Sequence, residues 1–109
     1  MPINKYYYAI GRRKTATVII KMFKGKQAEQ PITVNGLPIN VYWPTEAAKT
    51  VYQEPFKTTN TLSRFTATAT AKGSGKNGQL GAFVLAAARA LEKFDPKLRP
   101  VLKKRGLLT

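Results

Sequence analysis

The stretch RFTATATAKGSGKNGQLGAFVLAAARALEKF, Arg64 to Phe94, decides the fold class. Its first part alternates: Phe65, Ala67, Ala69 and Ala71 fall on one side of an extended chain, and Thr66, Thr68, Thr70 and Lys72 on the other. From Gly78 or Gln79 the period changes to three and four, so that Leu80, Phe83, Val84, Ala87, Leu91 and Phe94 share one helical face. A strand, a glycine loop and an amphipathic helix follow one another, and the apolar helix face is expected to pack on a sheet. Arg89 lies five residues, or roughly 500° at about 100° per residue, beyond Val84 and is expected outside the core.

Upstream of this unit the chain reads as strands. Tyr6, Tyr8 and Ile10 share one face and Tyr7 and Ala9 the other; the first three are expected in the core, leaving Tyr7 as the ring free to stack on a base. After Gly11-Arg12-Arg13-Lys14, a second strand runs from Thr15 to Phe23, with Ala16, Val18, Ile20 and Met22 opposite Thr17, Ile19, Lys21 and Phe23. Lys24-Gly25-Lys26 marks a turn, Pro31 to Val34 a short strand, and Asn35-Gly36 a tight hairpin turn from which Leu37 to Val41 returns antiparallel. A helix is expected from Pro44 and Thr45 to Gln53, with Ala47, Ala48, Val51 and Tyr52 on one face and Pro55 as its stop; Lys57 to Ser63 reads as polar linker.

Downstream, Asp95 caps a last helix with Pro96 at its first position. Leu98, Val101 and Leu102 form its apolar face, Pro100 is placed to kink it, and Gly106 is its C-terminal stop. Strands precede helices, which predicts one α+β domain over residues 1–109, a mostly antiparallel sheet with helices on one face.

Composition narrows the function. The 109 residues carry 19 Lys plus Arg against 5 Asp plus Glu, a net charge of +14 that a polyanionic partner would neutralise. With no Cys and no His, disulfides, thiolate nucleophiles, Cys/His zinc sites and His-based triads are excluded. No apolar run approaches the ~20 residues of a membrane span, and no signal-peptide pattern opens the chain. Neither a metal, a cofactor, a small-molecule substrate nor a membrane is expected, and the cytoplasm is the expected location.

The cations are blocked rather than paired. Lys5, Arg12, Arg13, Lys14, Lys21, Lys24 and Lys26 precede the first acid, Glu29, and Lys97, Arg99, Lys103, Lys104 and Arg105 follow the last, Asp95. Gly11-Arg12-Arg13-Lys14 places three cations at a strand junction where Gly11 permits close approach to a phosphate. Gly73-Ser74-Gly75-Lys76-Asn77-Gly78 matches G-x-G-x-x-G between a strand and a helix, the context of a dinucleotide site. The remainder of the chain reads as helices only, so the strand with a ribose-binding acid is missing; the Walker spacing is absent too. The local physics remains: glycines, free N–H groups at a helix start and Lys76 attract a phosphate.

Together these segments resemble the ninth protein of the small ribosomal subunit, in its bacterial or organellar form. Gly11 to Ala16, Val34-Asn35-Gly36 through Tyr42-Trp43-Pro44, Gly73 to Leu91 and Asp95 to Leu108 carry the resemblance. It implies a fold like the second domain of the small subunit's fifth protein, no catalysis, and binding to the head (3′ major) domain of small-subunit rRNA beside neighbouring head proteins. The contact residues then expected are Gly11, Arg12, Arg13, Lys14, Lys72, Ser74, Lys76, Asn77, Gln79, Arg89, Lys97, Arg99, Lys103, Lys104 and Arg105. The family commonly has Arg-His where this sequence has Val84-Leu85, and a glycine at Ala86. Its basic tail, which reaches peptidyl-site tRNA, would lie beyond Thr109. Two other classes fit parts of the sequence: a nucleotide-dependent enzyme built on the glycine loop, and a histone-like DNA compactor. ATP or NAD binding would mark the first, and equal binding of duplex DNA and folded rRNA the second.

Overall fold

A computed structural model describes residues 6–25, 32–61 and 64–108; Lys5, Lys26, Glu29, Pro31, Ser63 and Thr109 lie outside them. Five strands form one sheet: β1 (Tyr6–Arg13), β2 (Ala16–Lys24), β3 (Ile32–Val34), β4 (Leu37–Pro38) and β5 (Phe65–Lys72), in the order β1-β2-β5-β3-β4. β1 with β2, β2 with β5 and β3 with β4 are antiparallel; β3 runs parallel to β5. The helices are α1 (Ile39–Tyr42), α2 (Glu46–Thr58), α3 (Gly75–Phe94) and α4 (Arg99–Lys104), with a 3-10 turn at Pro96–Leu98. The α+β architecture expected from the sequence is the one observed.

The alternation in β5 and β2 translates directly into burial. Phe65, Ala67, Ala69 and Ala71 join Ala16, Val18, Ile20 and Met22 beneath α3. β1 departs from expectation. Tyr7 is half-buried, with its ring edge-on to Phe94 at 5.6 Å, and Ala9 is buried, whereas Tyr6 and Tyr8 stand in solvent. Gly11 is the cause. It continues the strand rather than interrupting it, and α3 crosses so close above it that a Cβ there would meet the Ala82 carbonyl oxygen at 2.2 Å. A strand has a period of two, so placing Gly11 under the helix puts Ala9 and Tyr7 there as well.

The Asn35-Gly36 turn forms as expected, both residues having positive φ (52° and 82°) as a tight hairpin requires. The return strand is shorter than predicted: after Leu37–Pro38 the chain turns into α1, which buries Ile39 and Tyr42. α2 starts on Thr45, whose hydroxyl accepts from the Ala48 N–H at 3.1 Å, and runs through Pro55 to Thr58 instead of stopping before it. Pro55 and Phe56 are both buried, and that burial outweighs the lost helical N–H. Val51, expected on the apolar face, is 41% exposed.

α3 is buried round most of its circumference, Ala82, Ala86 and Ala90 as completely as Phe83 and Leu91, because it has the sheet on one side and α2 on another. Val84 and Leu85 are buried too. Asp95 accepts from the Lys97 N–H at 3.0 Å and caps the 3-10 turn, and Pro100 opens α4 rather than kinking it. Gly106, at φ 76°, ends it. No helix among the described residues is long and apolar enough to cross a membrane.

Candidate nucleic-acid interface

β1 and β2 are joined by a two-residue turn, Lys14-Thr15, with Lys14 held at φ 56°. Gly73, Ser74 and Gly75 all have positive φ, and this left-handed run delivers the chain from β5 into α3. The two turns lock together. Thr15 and Ser74 hydroxyls are hydrogen-bonded, and Gly73 lies so close that a Cβ would meet the Thr15 carbonyl oxygen at 2.2 Å. Arg13 lays its aliphatic stem over Gly81 on the first turns of α3, within 2.9 Å of where a Cβ would stand. The result is an open cleft of about 200 Å³ lined by Arg13, Lys14, Ser74, Asn77, Gly78 and Gly81.

Two candidate groups far apart in sequence thus become one site. No acid occupies the first turn of α3, and no side chain caps it, Ser74 being engaged by Thr15. Its free N–H groups and the positive end of the helix dipole act with Arg13 and Lys14 to favour an anion.

Other candidates fall elsewhere. Arg12 and Lys72 are exposed and flank the site, in register across Thr17 on the sheet face away from α3. Lys76 leans to the far side of the helix start, its ammonium 4.7 Å from the Tyr42 ring centroid. Gly11 is buried against α3 and is a packing residue, not a point of phosphate approach. Gln79 is also corrected: it is 6% exposed, accepts from the Tyr42 hydroxyl and donates to the Gly73 carbonyl at 3.0 Å. Its amide holds the glycine loop from below and is not presented to a ligand.

Arg89 is half-buried rather than free. It donates to the Ile10 carbonyl at 2.7 Å, while Lys93 donates to that of Tyr8, so two α3 cations occupy the outer edge of β1. Lys97, Arg99, Lys103, Lys104 and Arg105 follow the C-terminal end of α3, a 20-residue helix about 30 Å long whose other end borders the cleft. Two of these are paired: Arg99 with Glu92 at 2.7 Å and Arg105 with Glu54 at 2.6 Å. The Arg105 guanidinium holds the Glu54 carboxyl below its ordinary range, whereas burial, aided by Glu46, raises the Tyr52 phenol.

The sequence reading missed the residues that brace the cleft. Asn35 exchanges hydrogen bonds with the Ala71 backbone (2.9 and 3.1 Å) and donates to the Tyr42 hydroxyl at 3.3 Å. Trp43 donates to the Lys76 carbonyl at 2.8 Å. Asn35 carries a signal only for its turn, and nothing in the spacing of Tyr42 or Trp43 announces a partner in α3.

The family described as "Ribosomal protein S9/S16" matches residues 11–109. The chain is 41% identical over 104 residues to the "Small ribosomal subunit protein uS9" of Maridesulfovibrio salexigens, covering 95% of this chain and 78% of that protein. It is 40% identical over 106 residues to the protein of the same name from Dehalococcoides mccartyi strain BAV1, covering 97% and 78%.

Proposed function

The chain belongs to the ribosomal protein S9/S16 family, and from that premise we propose that its cleft grips backbone phosphates of folded rRNA in the head of the small subunit. It is a structural protein of that subunit and not an enzyme; it serves translation, with ribosomal RNA and ribosomal proteins as partners. The proposal makes residues 1–109 a single rRNA-binding domain beside neighbouring head proteins, and gives it a positioning role: it neutralises phosphates and fixes their geometry without reading a linear sequence.

The observation that carries this reading is the joining of the Arg13-Lys14 turn to the start of α3 through Thr15, Gly73 and Ser74. Cations on a flexible loop would give charge alone. Cations fixed beside a helix start give a phosphate a defined seat. Arg12, Lys72 and Lys76 extend the field on either side, and the exposed Lys97, Lys103 and Lys104 offer a separate contact at the other end of α3.

Arg13→Ala combined with Lys14→Gly removes two charges, and glycine takes up the positive φ of Lys14 without strain. Titrated with head-domain rRNA, this variant is expected to show a log K against log salt slope shallower by roughly 1.4 to 1.8, about 0.7 to 0.9 for each phosphate no longer neutralised. An unchanged slope would contradict the assignment of the cleft.

A further inference from the structure

The sheet has a second face, and among the described residues no element lies over it. On it, register places Tyr6 beside Phe23, with ring centroids 5.5 Å apart, then Tyr8 beside Lys21, then Ile10 beside Ile19. Tyr6 is 48% exposed and Tyr8 40%. Every strand residue on this face is apolar, hydroxylic or basic; β1, β2 and β5 contain no acid. Cations sit against the rings: the Lys21 ammonium is 5.5 Å from the Tyr6 centroid and that of Lys93 is 6.0 Å from the Tyr8 centroid. The next row across the sheet is Arg12, Thr17 and Lys72, which borders the cleft.

We propose that this open face is a stacking platform for unpaired RNA bases, contiguous with the phosphate cleft, with Tyr6 and Tyr8 as the rings on which successive bases lie. The proposal rests on the RNA-binding role of the chain but concerns a different surface and different chemistry. Alternate residues of a strand are about 6.6 Å apart, nearly twice the ~3.4 Å step of stacked bases along one strand of a duplex. The platform therefore suits splayed, unpaired nucleotides, whose ring faces are open, and does not suit a helix, whose base faces are closed. Aromatic rings interleaved with Lys21 and bounded by Arg12 and Lys72 offer stacking and phosphate neutralisation together. A protein partner would have to cover Lys21 at the centre of the patch, where the neighbouring strands supply no carboxylate.

The test uses the full chain, a short fluorescent single-stranded oligoadenylate, and an RNA duplex with the same number of phosphates. Tyr6→Ala and Tyr8→Ala are expected to weaken oligoadenylate binding roughly 5- to 100-fold for each stacked ring while leaving the salt slope unchanged. Tyr6→Phe and Tyr8→Phe should retain binding, and duplex affinity should be unaffected. Ultraviolet cross-linking of the wild-type complex should place adducts on Tyr6 or Tyr8, a readout that depends on no variant. Alanine variants that bind oligoadenylate as well as wild type would overturn the platform, and if Arg13→Ala with Lys14→Gly still lowers the slope, the cleft stands without it. If no variant changes either quantity, both readings fail. Alanine variants with normal RNA affinity but poor retention in reconstituted subunits would assign the face to a protein neighbour and overturn the proposal.

Discussion

Gln79 shows how one side chain can serve the proposed binding surface without reaching it. Its carbonyl accepts from Tyr42 and its amide donates to Gly73, so α1 and the glycine loop are held by one buried group. Removing the amide leaves the buried Tyr42 hydroxyl without its acceptor, and a buried polar group left unpaired costs about 1–3 kcal/mol. Gln79→Leu is expected to lower unfolding free energy by that amount, and Tyr42→Phe by less. Because both act on one hydrogen-bonded pair, denaturant titration of the double variant should show a coupling of at least about 0.5 kcal/mol; strict additivity would mean that the pair does not act as a unit. Glutamine at this position reads from sequence as a polar residue beside a phosphate loop. Only the placement of Tyr42 reveals that it points inward. Gly11 carries the same lesson. Beside three cations it reads as room for a ligand, yet the room is taken by α3, and with that the faces of Tyr6, Tyr7 and Tyr8 are reversed.

Strand and helix identities in this chain follow from local pattern where one face is buried and the other is not. β5 and β2 alternate cleanly, and the Asn35-Gly36 turn is demanded by chemistry, so these are legible. α2 outruns its expected stop because burial of Pro55 and Phe56 is a tertiary fact. The outward orientation of Arg89 is half legible: it avoids the core but does not reach free solvent. Arg89 and Lys93 take the outward carbonyls of β1, the edge strand, and so hinder pairing with another chain. Replacing both by alanine is expected to increase self-association at high concentration and to speed amide exchange in β1. Sedimentation and hydrogen exchange identical to wild type would contradict this role.

For the whole molecule, charge is sorted by position. Arg12, Arg13, Lys14, Lys72 and Lys76 gather around the joined turns at one end of the sheet, and the cations from Lys97 to Arg105 belong to the segment that follows the C-terminal end of α3. Lys49 and Lys57 are exposed on α2, which packs on α3 away from the sheet. The net charge of +14 announces a polyanion from composition alone. Which cations act together depends on the Thr15–Ser74 contact, which links residues no local pattern relates. The most direct test of a phosphate grip at the turns is lysine acetylation of the chain, free and bound to small-subunit rRNA, read residue by residue by mass spectrometry. Lys14, Lys72 and Lys76 are predicted to be shielded in the complex while Lys49 and Lys57 react as in the free protein. Equal shielding of both sets, or shielding of Lys49 and Lys57 alone, would contradict it.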